Sequence, residues 1–229
     1  MMPEDFPPIT VVVAAAGKGV RFRQENKLLA PFRGRTVFAA CLENLQGPGV
    51  EFVVATDLRE RLEGEVPPEA KKSLLWAAGG ASRAESVFSA LETLRHARPC
   101  PPAWIAVHDA ARPLADRRLL LECWRLLRQS GADGVVPAHR LEDTVHLTDG
   151  QGALQETPPR GFLLAAETPQ VFRGAPLMEA YRRWGEVPPA QRPAMTDDAS
   201  LFHAIFPQGR VLFWENPADN HKITYPHDL

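Results

Sequence analysis

VVVAAAGKGVRFRQENK, residues 11–27, is the stretch on which the architecture turns. Its opening run of β-branched residues reads as a buried strand, and it gives way to small residues, two glycines and a cluster of basic side chains. Gly17 and Gly19 can adopt backbone angles closed to other residues, so successive N–H groups can point into one concavity. A triphosphate would accept hydrogen bonds there, with Arg21 and Lys27 as mobile positive charge beside it. The other reading of these residues alone is an ordinary strand-to-helix turn with solvated basic side chains. Neither familiar phosphate fingerprint is present: no Gly-Lys-Ser/Thr occurs, and GKGVRF does not complete G-x-G-x-x-G.

Working outward, 229 residues with 45% hydrophobic content suffice for one substantial core, so a single domain over residues 1–229 is expected. The net charge of −2 argues against a protein that coats nucleic acid, and any anionic ligand must be held locally. Cys41, Cys100 and Cys123 are widely spaced and form no C-x-x-C pair, which fits neither a disulfide framework nor a zinc site and suggests a reducing, cytoplasmic setting. MMPEDFPP lacks the basic and apolar regions of an export signal, and no apolar run is long enough to cross a bilayer, so no membrane partner is expected.

Strand and helix patterns alternate along the chain. Residues 36–45 have helical spacing and stop at Gly47-Pro48-Gly49, before a strand at 51–55. A second strand at 73–77 is followed by a helix at 83–96 with Val87, Leu91 and Leu94 on one face, then a strand at 104–107. Residues 119–127 are apolar nearly all round and predict a buried helix, with a strand at 134–138 after it. The alternation predicts an α/β fold: a mostly parallel, twisted sheet with helices on both faces. Between residues 140 and 159 the rhythm breaks, with a β-like run at 144–147, a turn at 148–152 and a returning strand at 153–157. This predicts an inserted β-hairpin arm, held either by its own domain or by the same arm of a second subunit. The chain resumes at 162–167, and a helix around 177–184, a proline-rich loop, a helix around 198–206 and a strand at 211–215 complete the pattern.

In open α/β sheets ligands sit beyond the carboxyl ends of the strands, so polar residues that follow apolar runs are the candidates. Within VHDAARP, Asp109 can hold Mg²⁺ against phosphate oxygens, cap the next turn or pair with Arg112. GGASRAES enters a helix, where Ser86 and free N–H groups can read a base edge, or Ser82 can simply cap the helix. Thr196-Asp197-Asp198 supplies one capping acid and one of open role. The segment at 219–224 places an acid, an amide and an ammonium near the last strand.

Taken in order, AAGKGVRF, NK, GGASRAESV, VHDAARP, EDT, T-x-x-R, ETPQ, TDDAS and DNHKIT resemble the 2-C-methyl-D-erythritol 4-phosphate cytidylyltransferases of non-mevalonate isoprenoid synthesis, over essentially the whole chain. The resemblance implies a Rossmann-like nucleotidyltransferase fold, a homodimer joined by exchanged arms, and Mg²⁺-dependent transfer of CMP from CTP to methylerythritol phosphate. Position by position it implies that Arg21 and Lys27 stabilise the transition state and that Ala14, Ala15, Ala16, Gly17 and Gly19 cradle the triphosphate. It places Gly80 and Ser86 at cytosine, and Asp109 and Ala110 near ribose and metal. Thr144, Arg160, Thr168, Asp219 and Lys222 match positions that hold the acceptor, Arg160 and Lys222 positioning its phosphate for attack. Two further readings stand beside this one: the similar ribitol 5-phosphate cytidylyltransferases, and a non-catalytic nucleotide-binding protein on the same scaffold.

Overall fold

A computed structural model describes residues 7–17, 22 and 26–229. The strand that opens the key stretch is β1 (Ile9–Ala14), and its apolar residues are buried because it lies inside the sheet, flanked on both sides. Two minimal strands, β2 (Pro31–Phe32) and β3 (Arg35–Thr36), lead into α1 (Val37–Leu45), capped by the Thr36 hydroxyl on the Ala39 N–H. Next come β4 (Val50–Ala55), the short α2 (Arg59–Leu62) and α3 (Pro68–Lys71), β5 (Leu74–Ala77) and α4 (Arg83–Ala97). The chain continues with β6 (Trp104–Asp109), α5 (Arg117–Ser130), β7 (Gly134–Arg140) and the arm strands β8 (Leu147–Thr148) and β9 (Leu154–Glu156). It ends with β10 (Leu164–Ala166), β11 (Gln170–Arg173), α6 (Gly174–Glu186), α7 (Asp198–Ile205) and β12 (Val211–Glu215).

The main sheet runs β10-β7-β11-β6-β1-β4-β5, and β12 also pairs with β7. Pairs β5/β4, β4/β1, β1/β6 and β7/β12 are parallel, whereas β10 and β11 run antiparallel. From β1 the chain steps outward through β4 to β5 and then returns to place β6 on the opposite side of β1. The strand order therefore reverses between β1 and β6, where such sheets open a crevice at their carboxyl ends. Register brings Ala14 level with both Ala55 and Asp109, so the last residue of β6 stands beside the start of the small-residue loop.

Alternation along β1 divides the core between the two faces of the sheet. Ile9, Val11 and Val13 pack with Phe38 and Leu42 of α1 and with Leu120 and Leu127 of α5. Val12 packs on the other face with Val87 and Leu91 of α4, Leu177 and Tyr181 of α6, and Phe202 of α7. Full burial of one such side chain contributes about 1.5–3 kcal/mol, so truncating Leu120 to alanine should cost about 2–5 kcal/mol.

Three expectations are corrected. Helix α5 is amphipathic, not apolar all round: it buries Leu119, Leu120, Leu121, Cys123, Trp124 and Leu127, while Glu122 and Arg125 form a 2.8 Å pair on the other side. Arg118 and Arg128, which flank the apolar stretch 119–127, are exposed and extend the polar side that Glu122 and Arg125 begin. Strand β11 was not expected, because Val171 and Phe172 are its only apolar residues and Pro169 precedes it; its place between β6 and β7 comes from long-range pairing. The arm is a shorter hairpin than its sequence suggested. Thr144 lies in irregular backbone, and the ladder joins only Leu147–Thr148 to Leu154–Glu156. Its turn is closed by Asp149, whose Oδ1 accepts the N–H groups of Gln151 and Ala153, with Gly150 and Gly152 at positive φ.

Candidate active site

The crevice between β1 and β6 holds a cavity of about 190 Å³. Its wall combines Ala14, Ala15, Ala16 and Gly17 after β1 with Gly80, Ser82, Arg83 and Ser86 at the head of α4. Lys27, Asp109, Ala111 and Lys222 complete the polar part and the rim. Among the described residues the lining carries three cationic side chains, Lys27, Arg83 and Lys222, and one carboxylate, Asp109, an electrostatic balance suited to an anion. Gly19 and Arg21 lie outside the described residues.

Lys27 opens a single 3₁₀ turn, Lys27–Leu29, capped by Asn26, whose Oδ1 accepts the Leu28 N–H at 3.0 Å. Its Nζ donates to the Ile223 carbonyl at 2.9 Å, while Nζ of the adjacent Lys222 donates to Asp109 Oδ2 at 2.6 Å. The 222–223 segment therefore meets both lysine sites. It is fastened by the Ile223 N–H to the Ala111 carbonyl at 2.8 Å and by Asn220 Nδ2 to the Thr168 carbonyl and Glu167 Oε2, each at 2.9 Å. Glu167 also receives Asn216 Nδ2 and pairs with His139 Nδ1, so one buried carboxylate ties β7 to the C-terminal segment.

Asp109 also accepts Arg83 Nε on Oδ1 at 2.8 Å. Burial opposes its ionisation, but Arg83 and then Lys222 outweigh burial and hold the carboxyl well below the usual range. Directly behind it, His108 is fully buried. Its Nε2–H donates to the Arg112 carbonyl at 3.2 Å, so in the neutral ring Nδ1 accepts the Thr168 hydroxyl at 3.0 Å. Thr168 Oγ1 in turn accepts the Asp109 N–H at 3.1 Å. Burial, the largest cause, pushes the His108 pKa down to about 4, in keeping with that neutral tautomer.

The glycine-rich loop before α4 is internally bonded. Ser82 and Glu85 form a reciprocal capping box at α4, as a plain cap reading of Ser82 would have it. Ser86 Oγ accepts the Gly80 N–H at 3.0 Å and donates to the Ser82 carbonyl at 2.9 Å. Its proton is thus committed, and its remaining lone pair can only accept.

Not every sequence candidate reaches this wall. Ala110 is 1% exposed and does not line the cavity; its N–H donates to the Ala14 carbonyl and Ala111 lines the wall in its place. Thr168 is buried behind Asp109. Asp219 is exposed outside the cavity and pairs with His221 at 2.9 Å. Thr144 and Arg160 stand exposed on the arm, where the Arg160 guanidinium donates to the Glu142 carbonyl. Arg83 and Asp198 had no assigned role from sequence. The available signal was a cation in the first turn of a helix, where the macrodipole disfavours it and another force must hold it.

The IspD family model, described as 2-C-methyl-D-erythritol 4-phosphate cytidylyltransferase, matches residues 9–229. A protein of that description from Prochlorococcus marinus (strain MIT 9313) is 33% identical over 223 residues, covering 96% of this chain and 94% of the relative. The cytidylyltransferase of Synechococcus sp. (strain WH7803) is also 33% identical, covering 96% and 95%. Among solved structures, 2-C-methyl-D-erythritol 4-phosphate cytidylyltransferase from Thermus thermophilus superposes with a TM-score of 0.68 at 28% identity, covering 95% of this chain and 93% of the other. The Anaerococcus prevotii 4-diphosphocytidyl-2C-methyl-D-erythritol synthase gives a TM-score of 0.78 at 24% identity, covering 97% and 92%, and shows the same fold. A match that runs unbroken from the first strand through the C-terminal lysine segment includes both halves of the cavity, and the chain belongs to the 2-C-methyl-D-erythritol 4-phosphate cytidylyltransferase family.

Proposed function

We propose that the protein transfers CMP from CTP to 2-C-methyl-D-erythritol 4-phosphate and releases pyrophosphate. The observation that carries this reading is the convergence of Lys27, Lys222 and Asp109 on one cavity at the strand-order reversal of a family member. An oxygen of the acceptor phosphate attacks the α-phosphorus, that P–O bond forms as the bridge to the β-phosphate breaks, and the electron pair leaves with pyrophosphate. A phosphate monoester is already anionic, so no strong base is needed, and catalysis rests on positioning and on charge at the α-phosphate. Lys27, with Arg21, supplies that charge. Ala14, Ala15, Ala16, Gly17 and Gly19 cradle the phosphates, Gly80 and Ser86 meet cytosine, and Asp109 borders the ribose, with Ala110 behind the wall tying β6 to the Ala14 carbonyl. Thr168 serves the acceptor site by fixing the backbone at Asp109, while Thr144, Asp219 and Lys222 hold the acceptor itself. The free lone pair on Ser86 supports an amino-bearing base over one with a keto group at that edge.

Mg²⁺ fits a carboxylate held ionised within a cationic cavity, although both Asp109 oxygens already carry a cationic partner. No cluster of three or more potential metal-ligating side chains occurs among the described residues, so the ion would share Asp109 with nucleotide phosphates. When bound, it neutralises phosphate charge. Cys41 and Cys123 are buried, with their thiols pushed up by burial, which supports a route without a covalent enzyme intermediate.

The arm carries the argument for a homodimer. Leu147, Leu154 and Phe162 are 54%, 63% and 88% exposed, an apolar surface that a second arm would cover while carrying Arg160 to the neighbouring cavity. Free cysteines agree with a cytoplasmic setting, and no described helix is long and apolar enough to cross a membrane. The reading calls for CTP and the acceptor as the only ligands besides Mg²⁺, with no nucleic acid.

The test is pyrophosphate release with CTP, Mg²⁺ and methylerythritol phosphate, against UTP, ATP and ribitol 5-phosphate. Much faster release with the first set is expected, because a wrong base leaves buried polar groups unpaired. Equal rates with UTP or ATP would refute the cytosine site, and a preference for ribitol phosphate would replace the acceptor.

A further inference from the structure

Arg83 opens α4, yet its side chain is only 20% exposed and turns into the molecule. Its guanidinium forks between two acids. Nε donates to Asp109 Oδ1 and Nη2 to Asp198 Oδ2, both at 2.8 Å. The Asp198 side chain has no solvent exposure, and its other oxygen accepts the hydroxyl of buried Tyr181 at 2.6 Å. The start of α7, which carries Asp198, is pinned in turn. Gln170 of β11 donates through Nε2 to Asp197 Oδ2 at 2.9 Å and accepts the Ala199 N–H on Oε1 at 3.0 Å. Arg83 is therefore braced from α6, α7 and, through Gln170, the sheet.

This bracing makes the two oxygens of Asp109 unequal. Oδ1 meets a guanidinium that cannot leave without stranding Asp198 as an unpaired interior anion. Oδ2 meets Lys222, whose side chain is 39% exposed and carries a compact ammonium on a rotatable stem. An incoming phosphate can draw away the second partner but not the first.

We propose that Arg83, braced by Asp198 and Tyr181, is a positioning residue that locks Asp109 Oδ1, so that Oδ2 is the oxygen offered to the cavity when Lys222 turns toward a bound anion. The second acid of TDDAS thereby gains a role: it anchors the brace. The inference rests on the cytidylyl-transfer reading of the site.

Arg83→Lys keeps the charge but cannot span both acids, and Tyr181→Phe removes one buried hydroxyl at nearly constant volume. The measurements are kcat and KM by pyrophosphate release, CTP affinity by calorimetry with Mg²⁺ present, and thermal melting. Arg83→Lys is expected to lower kcat by about tenfold or more with CTP affinity within about threefold of wild type, because orientation matters most in the transition state. Tyr181→Phe is expected to lower kcat by about threefold to tenfold, and the double variant to be no worse than Arg83→Lys, since the hydroxyl acts through the guanidinium. Multiplying losses in the double variant, or melting shifts with kcat unchanged, would reduce the brace to a purely structural element and overturn the proposal. Should Arg83→Lys fail to fold, Tyr181→Phe decides alone: reduced kcat at unchanged CTP affinity supports the proposal and wild-type kcat overturns it. A wild-type chain without cytidylyl transfer would instead sink the reading of the site, whereas an active wild type with unaffected variants sinks only the role of Arg83.

Discussion

Lys222 and Asp109, 113 residues apart in sequence, form a 2.6 Å ion pair inside the cavity that also receives Lys27. The pair joins the last strand end of the parallel core to the C-terminal segment, so each half of the chain holds the other's charge in place. Lys27, whose Nζ donates to the Ile223 carbonyl beside this pair, is the cavity charge whose removal tests catalysis most directly.

Lys27→Ala is expected to lower kcat by about a hundredfold or more with a smaller change in KM for CTP, because the charge is needed chiefly as the α-phosphate reacts. Arg21→Ala should behave alike. Steady-state pyrophosphate release separates the outcomes: a normal kcat with raised KM would make Lys27 a ground-state clamp.

Gly80→Ala should weaken CTP binding. An added Cβ would lie 2.4 Å from Glu85 Cβ and 2.8 Å from the Ser86 backbone nitrogen, so the first turn of α4 must shift. Such overpacking costs about 1–3 kcal/mol, and displacement of Ser86 should raise the CTP Kd by about tenfold. Calorimetry with CTP reads the change, and unaltered affinity would remove this loop from the base site.

Mixed dimers test the arm. Arg160 is exposed and does not line its own cavity, so in the proposed homodimer a Lys27→Ala chain paired with an Arg160→Ala chain should leave one intact site in each mixed dimer. With distinct tags and purification of the mixed species, about half of wild-type activity is expected from two nearly inactive parents. Mixed dimers as inactive as either parent would assign Arg160 to its own subunit.

His108 should make the fold acid-sensitive. Its pKa falls from 6.5 in the unfolded chain to about 4 when folded, so above pH 6.5 neither state is protonated and the ring adds no pH dependence. Between pH 6.5 and about 4 only the unfolded chain binds the proton, and stability falls by up to about 3 kcal/mol, fully lost below that range. His221 has the opposite sign. Its pair with Asp219 raises its pKa, so that stabilisation is present at low pH and fades as pH rises, and solvent screening keeps it small. Denaturant melts of wild type and His108→Gln at pH 7.5 and 4.5 should show a shallower acid loss in the variant; equal losses would show that other groups govern it.

Local patterns in the sequence determined β1, the cap at Ser82, the amphipathic spacing of α4 and the turn at Asp149–Gly152, since each depends on neighbours within a few residues. The motifs likewise pointed to Gly17, Lys27, Ser86, Asp109 and Lys222 as cavity residues. Only the tertiary structure decided that β11 lies antiparallel between β6 and β7, because Val171 and Phe172 carry too little periodicity and strand pairing supplies the rest. It also decided that Asp219 lies outside the cavity while Lys222, three residues on, lies within it. The Arg83, Asp198 and Tyr181 brace was equally beyond local reading, since ion pairing across 115 residues depends on how α4, α6 and α7 meet on one face of the sheet.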